Sequence, residues 1–230
     1  MLLPGLLLLS ALLLLYGPSL WAKQILKRHS AERPDIPHSG QLFARQLLDQ
    51  QGLSSVSVEE ADKLGDHYDP IAKAVRLSPG HFQGHSLAAI TVAAHEVGHA
   101  LQDQANYPPM RLRGRLVQLA QPLEKISRVI LPVAPIAMLL TRSPIVGLGL
   151  LLTGLGTLLL ATLLHLVTLP VEFDASFRRA LPLLRKSQYL PPSDRPAARN
   201  ILWACALTYL AQPAMSLLQL LRWLRPGPKL

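Results

Sequence analysis

Apolar residues gather in Leu-rich blocks at 2–22, 129–140, 145–169 and 201–224, and most of the charge lies in the stretches between them. Blocks approaching the ~20 residues that cross a hydrocarbon core predict membrane helices. The 2–22 block has no basic segment before it and has Lys23, Lys27, Arg28 and Arg33 after it. That asymmetry predicts a retained anchor with its C-terminal end in the cytoplasm rather than a cleaved signal peptide. The 129–140 block is short for a span, so its helix is expected to start within the more polar 116–128 or to be shallow and re-entrant. Thr141, Arg142, Ser143 and Pro144 then form the tip of a helical hairpin, and 201–224 is a last span kinked at Pro213.

Residues 23–115 have a different pattern. Leu42, Phe43, Leu47 and Leu48 recur at helical spacing, and Gly52 follows where a left-handed residue would end the helix. Val56 and Val58 alternate with polar neighbours, as do Val75 and Leu77, so each run reads as a short strand. Asp66, His67, Tyr68, Asp69 and Pro70 between them read as a turn or loop. Ser86 is a good N-cap for an alanine-rich, proline-free helix from Leu87 to about Gln104, which Pro108 and Pro109 end. The order is helix, strand, loop, strand, helix.

Composition sharpens this picture. Half of the 230 residues are hydrophobic and only 5% are aromatic, and the net charge is +9. A basic soluble protein would suggest nucleic-acid binding, but here Arg111, Arg113, Arg115, Arg178, Arg179, Arg185 and Lys186 flank the apolar blocks. With little aromatic interleaving, the charge argues against nucleic acid and for an anionic lipid bilayer as partner. The single cysteine, Cys205, permits no internal disulfide and reads as a small buried apolar residue.

The chemistry lies in the 87–104 helix, where His95, Glu96, Val97, Gly98 and His99 spell HExxH. Residues four apart share a helical face, so two imidazoles can converge on one Zn2+ ion. Glu96, beside the first ligand, can act as general base toward the attacking water and return the proton to the leaving amine. Ala93, Ala94 and Ala100 leave room around the motif.

A catalytic zinc needs a third protein ligand, and five carboxylates follow the motif: Asp103, Glu124, Glu172, Asp174 and Asp194. Asp103 lies eight residues along the same helix, about 12 Å from His95, and cannot converge with both histidines unless the helix breaks. It is expected to be solvated or to orient a ligand. Glu124 adjoins Lys125 and Asp194 sits in a Ser-Asp-Arg-Pro turn. Glu172 and Asp174 emerge directly from an apolar helix and remain the candidates, Glu172 ahead of Asp174. His67, Tyr68 and His85 are further candidates to stabilise an oxyanion or fix a ligand's tautomer, and Asp174 to support a ligand. His165 stands out as an ionisable group inside an apolar block.

The segments DHYDP at 66–70, KAVRLS at 73–78, AAHEVGHALQD at 93–103 and VEFDAS at 171–176 together resemble the YugP-like family of bacterial neutral zinc metallopeptidases. The Glu-Phe-x-Ala segment is also similar to the third-ligand segment of the zinc proteases related to HtpX and the CAAX endopeptidases. There the glutamate binds zinc and an aspartate follows the alanine. The resemblance implies a gluzincin-like protease with Glu172 as third ligand, and it departs at Ser176, which stands in the aspartate's place.

The expected fold is mainly α: a small zincin-like α+β metalloprotease domain with about four transmembrane or membrane-associated helices. The division is an N-terminal membrane anchor at 1–22, a catalytic domain at 23–115, a membrane hairpin at 116–170, a third-ligand segment at 171–199 and a C-terminal membrane helix at 200–230. The expected function is a zinc endopeptidase of the plasma membrane, multi-pass, its site facing the cytoplasm. Its substrate would be a membrane or membrane-adjacent polypeptide pairing with the 73–78 strand as a sheet edge. The alternative is a non-catalytic, zinc-stabilised membrane adaptor, against which the intact Glu96 argues, because a structural site has four protein ligands and needs no base.

Overall fold

The computed structural model describes residues 16–62, 65–141, 143–187 and 190–208. Helix α1 occupies 16–28. It is followed by α2 (Gly40–Gln50), β1 (Ser57–Glu60), β2 (His67–Asp69), β3 (Ala74–Leu77), the short α3 (Pro79–Phe82) and α4 (Leu87–Gln104). Two long helices, α5 (Pro108–Thr141) and α6 (Pro144–Phe173), form a hairpin. The second continues without a break into a π-helical segment (Asp174–Ala180) and α7 (Leu181–Lys186), and a 3-10 turn (Pro192–Asp194) leads into α8 (Arg195–Thr208).

The molecule is organised around α4. Ser86 caps it, its hydroxyl accepting from the Ala89 N–H at 3.1 Å. Every side chain from Leu87 to Ala100 is buried, as is Gln102. A helix buried all round is a central one, and α2, the sheet, the π segment and α8 pack around it. Phe43, Leu47 and Leu48 of α2, Val75 and Leu77 of β3, Ile90 and Val97 of α4, Leu184 of α7 and Ile201 and Leu202 of α8 share one core. Its alanines let these neighbours approach closely. At Gly98 the approach reaches backbone: a Cβ there would stand 2.6 Å from the carbonyl oxygen of Ala175 in the π segment.

The sheet has the order β1-β3-β2, with β3 parallel to β1 and antiparallel to β2. The segment expected as a turn therefore contains a strand, with the turn displaced to 70–73. Asp69 makes that turn, its Oδ1 accepting from the N–H groups of Ile71 and Ala72 at 2.9 and 3.0 Å, and Lys73 closes it at φ 55°. Arg76 on the central strand bridges to Glu59 on β1 and Asp69 on β2. The 73–78 run is thus not an edge, and the expectation that it pairs with substrate is corrected: both its sides are already occupied.

Among the described residues no helix is long and apolar enough to cross a membrane. This corrects the expected transmembrane or membrane-associated helices and, with them, the multi-pass, cytoplasm-facing placement in the plasma membrane. The physical reason begins with where the helices start. α5 begins at Pro108, well before the apolar block, and includes Arg111, Arg113, Arg115, Glu124, Lys125 and Arg128, a load that hydrocarbon penalises. Most of the 2–22 block, the hairpin tip at Arg142, the side chains of Glu124 and His165, and Pro213 with the rest of the 201–224 block beyond Thr208 lie outside the described residues. Leu140, Ile145, Leu148, Leu152 and Leu166 are exposed on the hairpin, whose two helices pack mainly against each other.

Replacing Gly98 with Ala forces α4 and the π segment apart. Gly98→Ala is expected to lower the unfolding free energy by about 1–3 kcal/mol, read as a lower urea midpoint at unchanged slope. An unchanged midpoint would show that the two backbones do not touch in solution.

Candidate metal centre

His95 and His99 project from the middle of α4, one helical turn apart, their ring centroids 4.8 Å from each other. The hairpin leaves the core along α5 and returns along α6, so that Glu172, 73 residues beyond His99 in sequence number, arrives against the same face. Its Oε2 lies 3.3 Å from Nε2 of His95 and 3.3 Å from Nε2 of His99. The three ligand atoms lie within 4.8 Å of one another, and all three residues are buried.

The hydrogen bonds behind the rings decide which nitrogens face inward. Ser176 Oγ lies 3.0 Å from Nδ1 of His95 and donates its own hydrogen to the Leu202 carbonyl at 3.3 Å. The His95 Nδ1 must therefore carry the proton and donate. His99 Nδ1 meets Gln102 Oε1 at 2.9 Å, while the Gln102 amide donates to the Val171 carbonyl at 2.7 Å and to Asp174 Oδ2 at 2.9 Å. The glutamine's orientation is thereby fixed with its oxygen toward His99. Both imidazoles hold their protons outward on Nδ1 and aim the Nε2 lone pairs at Glu172.

Glu172 has no exposed surface. Its Oε1 accepts from Arg113 Nη1 at 3.0 Å, but its Oε2 has no hydrogen-bond partner. A buried carboxylate oxygen left without a donor, 3.3 Å from two imidazole nitrogens, fits a metal cation or, in its place, a proton on one of the rings. Zinc suits this donor set of two nitrogens and one oxygen.

Burial works to raise the Glu172 carboxyl, but His99 and His95 outweigh it and hold it well below the usual carboxylate range. Burial lowers His99, and Glu172 outweighs that in turn, so His99 lies above the ordinary imidazole value. Glu96 is buried beside them. Burial pushes its carboxyl up, the two imidazoles pull it back, and the charges of Glu172 and Asp66 add to the rise.

The other expected residues fall into two groups. Asp174 supports the cluster from one step back: it accepts from Gln102 and from Arg179 Nε at 2.7 Å. Asp103 stays on an unbroken helix, away from the cluster, and accepts from Tyr68 Oη at 2.7 Å and from Lys73 Nζ. Burial and Asp103 push the Tyr68 phenol up, so it serves as a donor that ties β2 to α4. His67 turns its Nδ1 to the Gly65 carbonyl at 2.9 Å, and His85 its Nδ1 to the Ile36 carbonyl at 3.2 Å. His85 stands ten residues before His95, outside α4 and ahead of its Ser86 cap. Asp194 pairs with Arg33 at 2.7 Å. Cys205 packs partly buried against the core, and burial pushes its thiol well up.

Gln102, Ser176 and Arg113 were not anticipated as partners. Gln102 had a local signal, since a residue three beyond His99 shares its helical face. Arg113 had none.

The profile of a family described as "Putative neutral zinc metallopeptidase" matches residues 5–226. The chain is similar to the "Putative membrane protease YugP" of Bacillus subtilis, 36% identical over 213 residues that cover 90% of each chain. No solved structure matches.

Two measurements follow from the geometry. Glu172→Ala should weaken zinc binding by more than the roughly 10–100-fold typical of an outer partner's loss, while Asp103→Ala keeps the wild-type affinity; competition against a chelating dye checks both. The reverse result would mean that α4 breaks after His99. Because His99 must be neutral to bind metal and its metal-free value is raised, protons compete as pH falls. Apparent zinc affinity should therefore decline on acidification starting above the ordinary imidazole value of about 6.5, and an affinity flat from pH 8 to 6 would contradict the assignment.

Proposed function

The chain belongs to the YugP-like family of neutral zinc metallopeptidases, and on that premise we propose that it is a zinc-dependent endopeptidase of the gluzincin type, with His95, His99 and Glu172 as metal ligands and Glu96 as general base. The observation that carries this reading is the partnerless Oε2 of Glu172, fully buried and facing two Nε2 lone pairs. Among the described residues the cluster offers three ligands, which supports a catalytic site, since a structural one closes with four.

When bound, zinc supplies a Lewis acid that polarises the scissile carbonyl and acidifies the attacking water. His95 and His99 present their Nε2 atoms in the tautomer that Ser176 and Gln102 impose. Glu96, next in sequence to the first ligand, receives the proton of the attacking water and passes it to the leaving amine. Its buried position favours this, because a carboxyl raised by desolvation is a stronger base than one in water. The surrounding core excludes bulk water, so the proton travels between Glu96 and substrate. The substrate class is polypeptide.

Glu96→Gln keeps the shape and loses the base. The variant should retain about one zinc per chain while casein cleavage falls by roughly 10²–10⁴-fold, and a chelator should abolish the wild-type activity reversibly. Undiminished cleavage by Glu96→Gln, or loss of its metal, would remove Glu96 from the role assigned.

A further inference from the structure

The two oxygens of Glu172 have unlike surroundings. Oε2 faces both imidazoles and accepts no hydrogen bond, whereas Oε1 accepts from the guanidinium of Arg113 at 3.0 Å. Arg113 stands in the second turn of α5 with its side chain about a quarter exposed (24%), and reaches the last turn of α6. A carboxylate can give a metal one oxygen or both. A second oxygen would stand as a fifth ligand beside the water and crowd the position that a catalytic zinc leaves to water and substrate.

We propose that Arg113 is a positioning residue: by holding Oε1 it keeps Glu172 a one-oxygen ligand and so keeps the fourth metal position open. Oε1 lies in a charge-assisted hydrogen bond, and turning it toward the ion would break that bond at a buried oxygen. Arg113 also joins the base of α5 to the base of α6, so the same bond that sets the mode of ligation fixes where the hairpin returns to the core. The catalytic consequence rests on the peptidase reading; the ligand geometry does not.

The test uses the full chain loaded with cobalt(II), whose visible bands are intense in four-coordinate sites and weak in five-coordinate ones. Wild type, Arg113→Met and Arg113→Lys are compared for metal stoichiometry, absorption and, as zinc forms, peptide cleavage. Each should bind one cobalt. Wild type and Arg113→Lys, which keeps a donor, should show intense bands, and Arg113→Met bands several-fold weaker. With zinc, Arg113→Met should lose at least ~10-fold in kcat with KM changed less than about twofold.

An Arg113→Met protein with wild-type absorption, or an Arg113→Lys protein as weak as Arg113→Met, overturns the proposal. If Arg113→Met does not fold, the smaller donor-free Arg113→Ala takes its place: intense bands there overturn the proposal, and weak bands there with intense bands in Arg113→Lys support it. A wild-type protein that binds cobalt with intense bands yet cleaves no peptide overturns the peptidase reading and leaves the ligand geometry standing. One that takes up no cobalt overturns the metal reading itself.

Discussion

An ionised carboxylate with no exposed surface lies where α4, the hairpin and the π segment meet. Burying such a group without partners costs several kcal/mol, so the elements around Glu172 are arranged to compensate it. Arg113 is delivered by the first helix of the hairpin, and the two imidazoles by α4. The partners of those imidazoles come from the π segment and from α4 itself. The cation proposed for Oε2 would complete the set. The alanine surface of α4 and the missing Cβ of Gly98 serve the same end, because Glu172 and the histidines reach one another only if the two backbones nearly touch.

What the sequence made legible is what local spacing controls. The i, i+4 histidines, the Ser86 cap and the unbroken run to Gln104 can all be read from one turn of helix to the next, and that same continuity excluded Asp103. Glu172 emerged from a short list of carboxylates and a resemblance. The supporting groups did not emerge, because they depend on contacts across the fold: Gln102 touches Asp174, 72 residues away, and Arg113 touches Glu172, 59 away. Nothing in a pattern of neighbours encodes such a pairing.

Two errors have a common origin in treating a block of residues as an element. The Asp-Pro at 69–70 marked a turn correctly, but the turn follows Asp69, and the three residues before it had room to pair with β3. That pairing moved the 73–78 run from edge to centre. Likewise the helix of the 129–140 block was expected to start within 116–128 or to be shallow and re-entrant, when it begins at Pro108 among arginines. Helix ends follow backbone chemistry and hydropathy follows side chains, and the two need not share boundaries.

From Pro144 to Lys186 the chain is one continuous helical rod whose winding widens between Asp174 and Ala180. Wide π winding inside an α-helix shifts the angular phase of everything after it. Losing one residue from this stretch would relax it toward ordinary α-helix while turning the downstream faces by about 100° relative to Glu172. Ser176 could then no longer meet His95, nor Arg179 meet Asp174, although every ligand would remain in the chain. In an alignment of relatives, a one-residue gap at 174–180 would thus be as telling as a lost histidine, since it separates chains that keep the motif from chains that keep the centre.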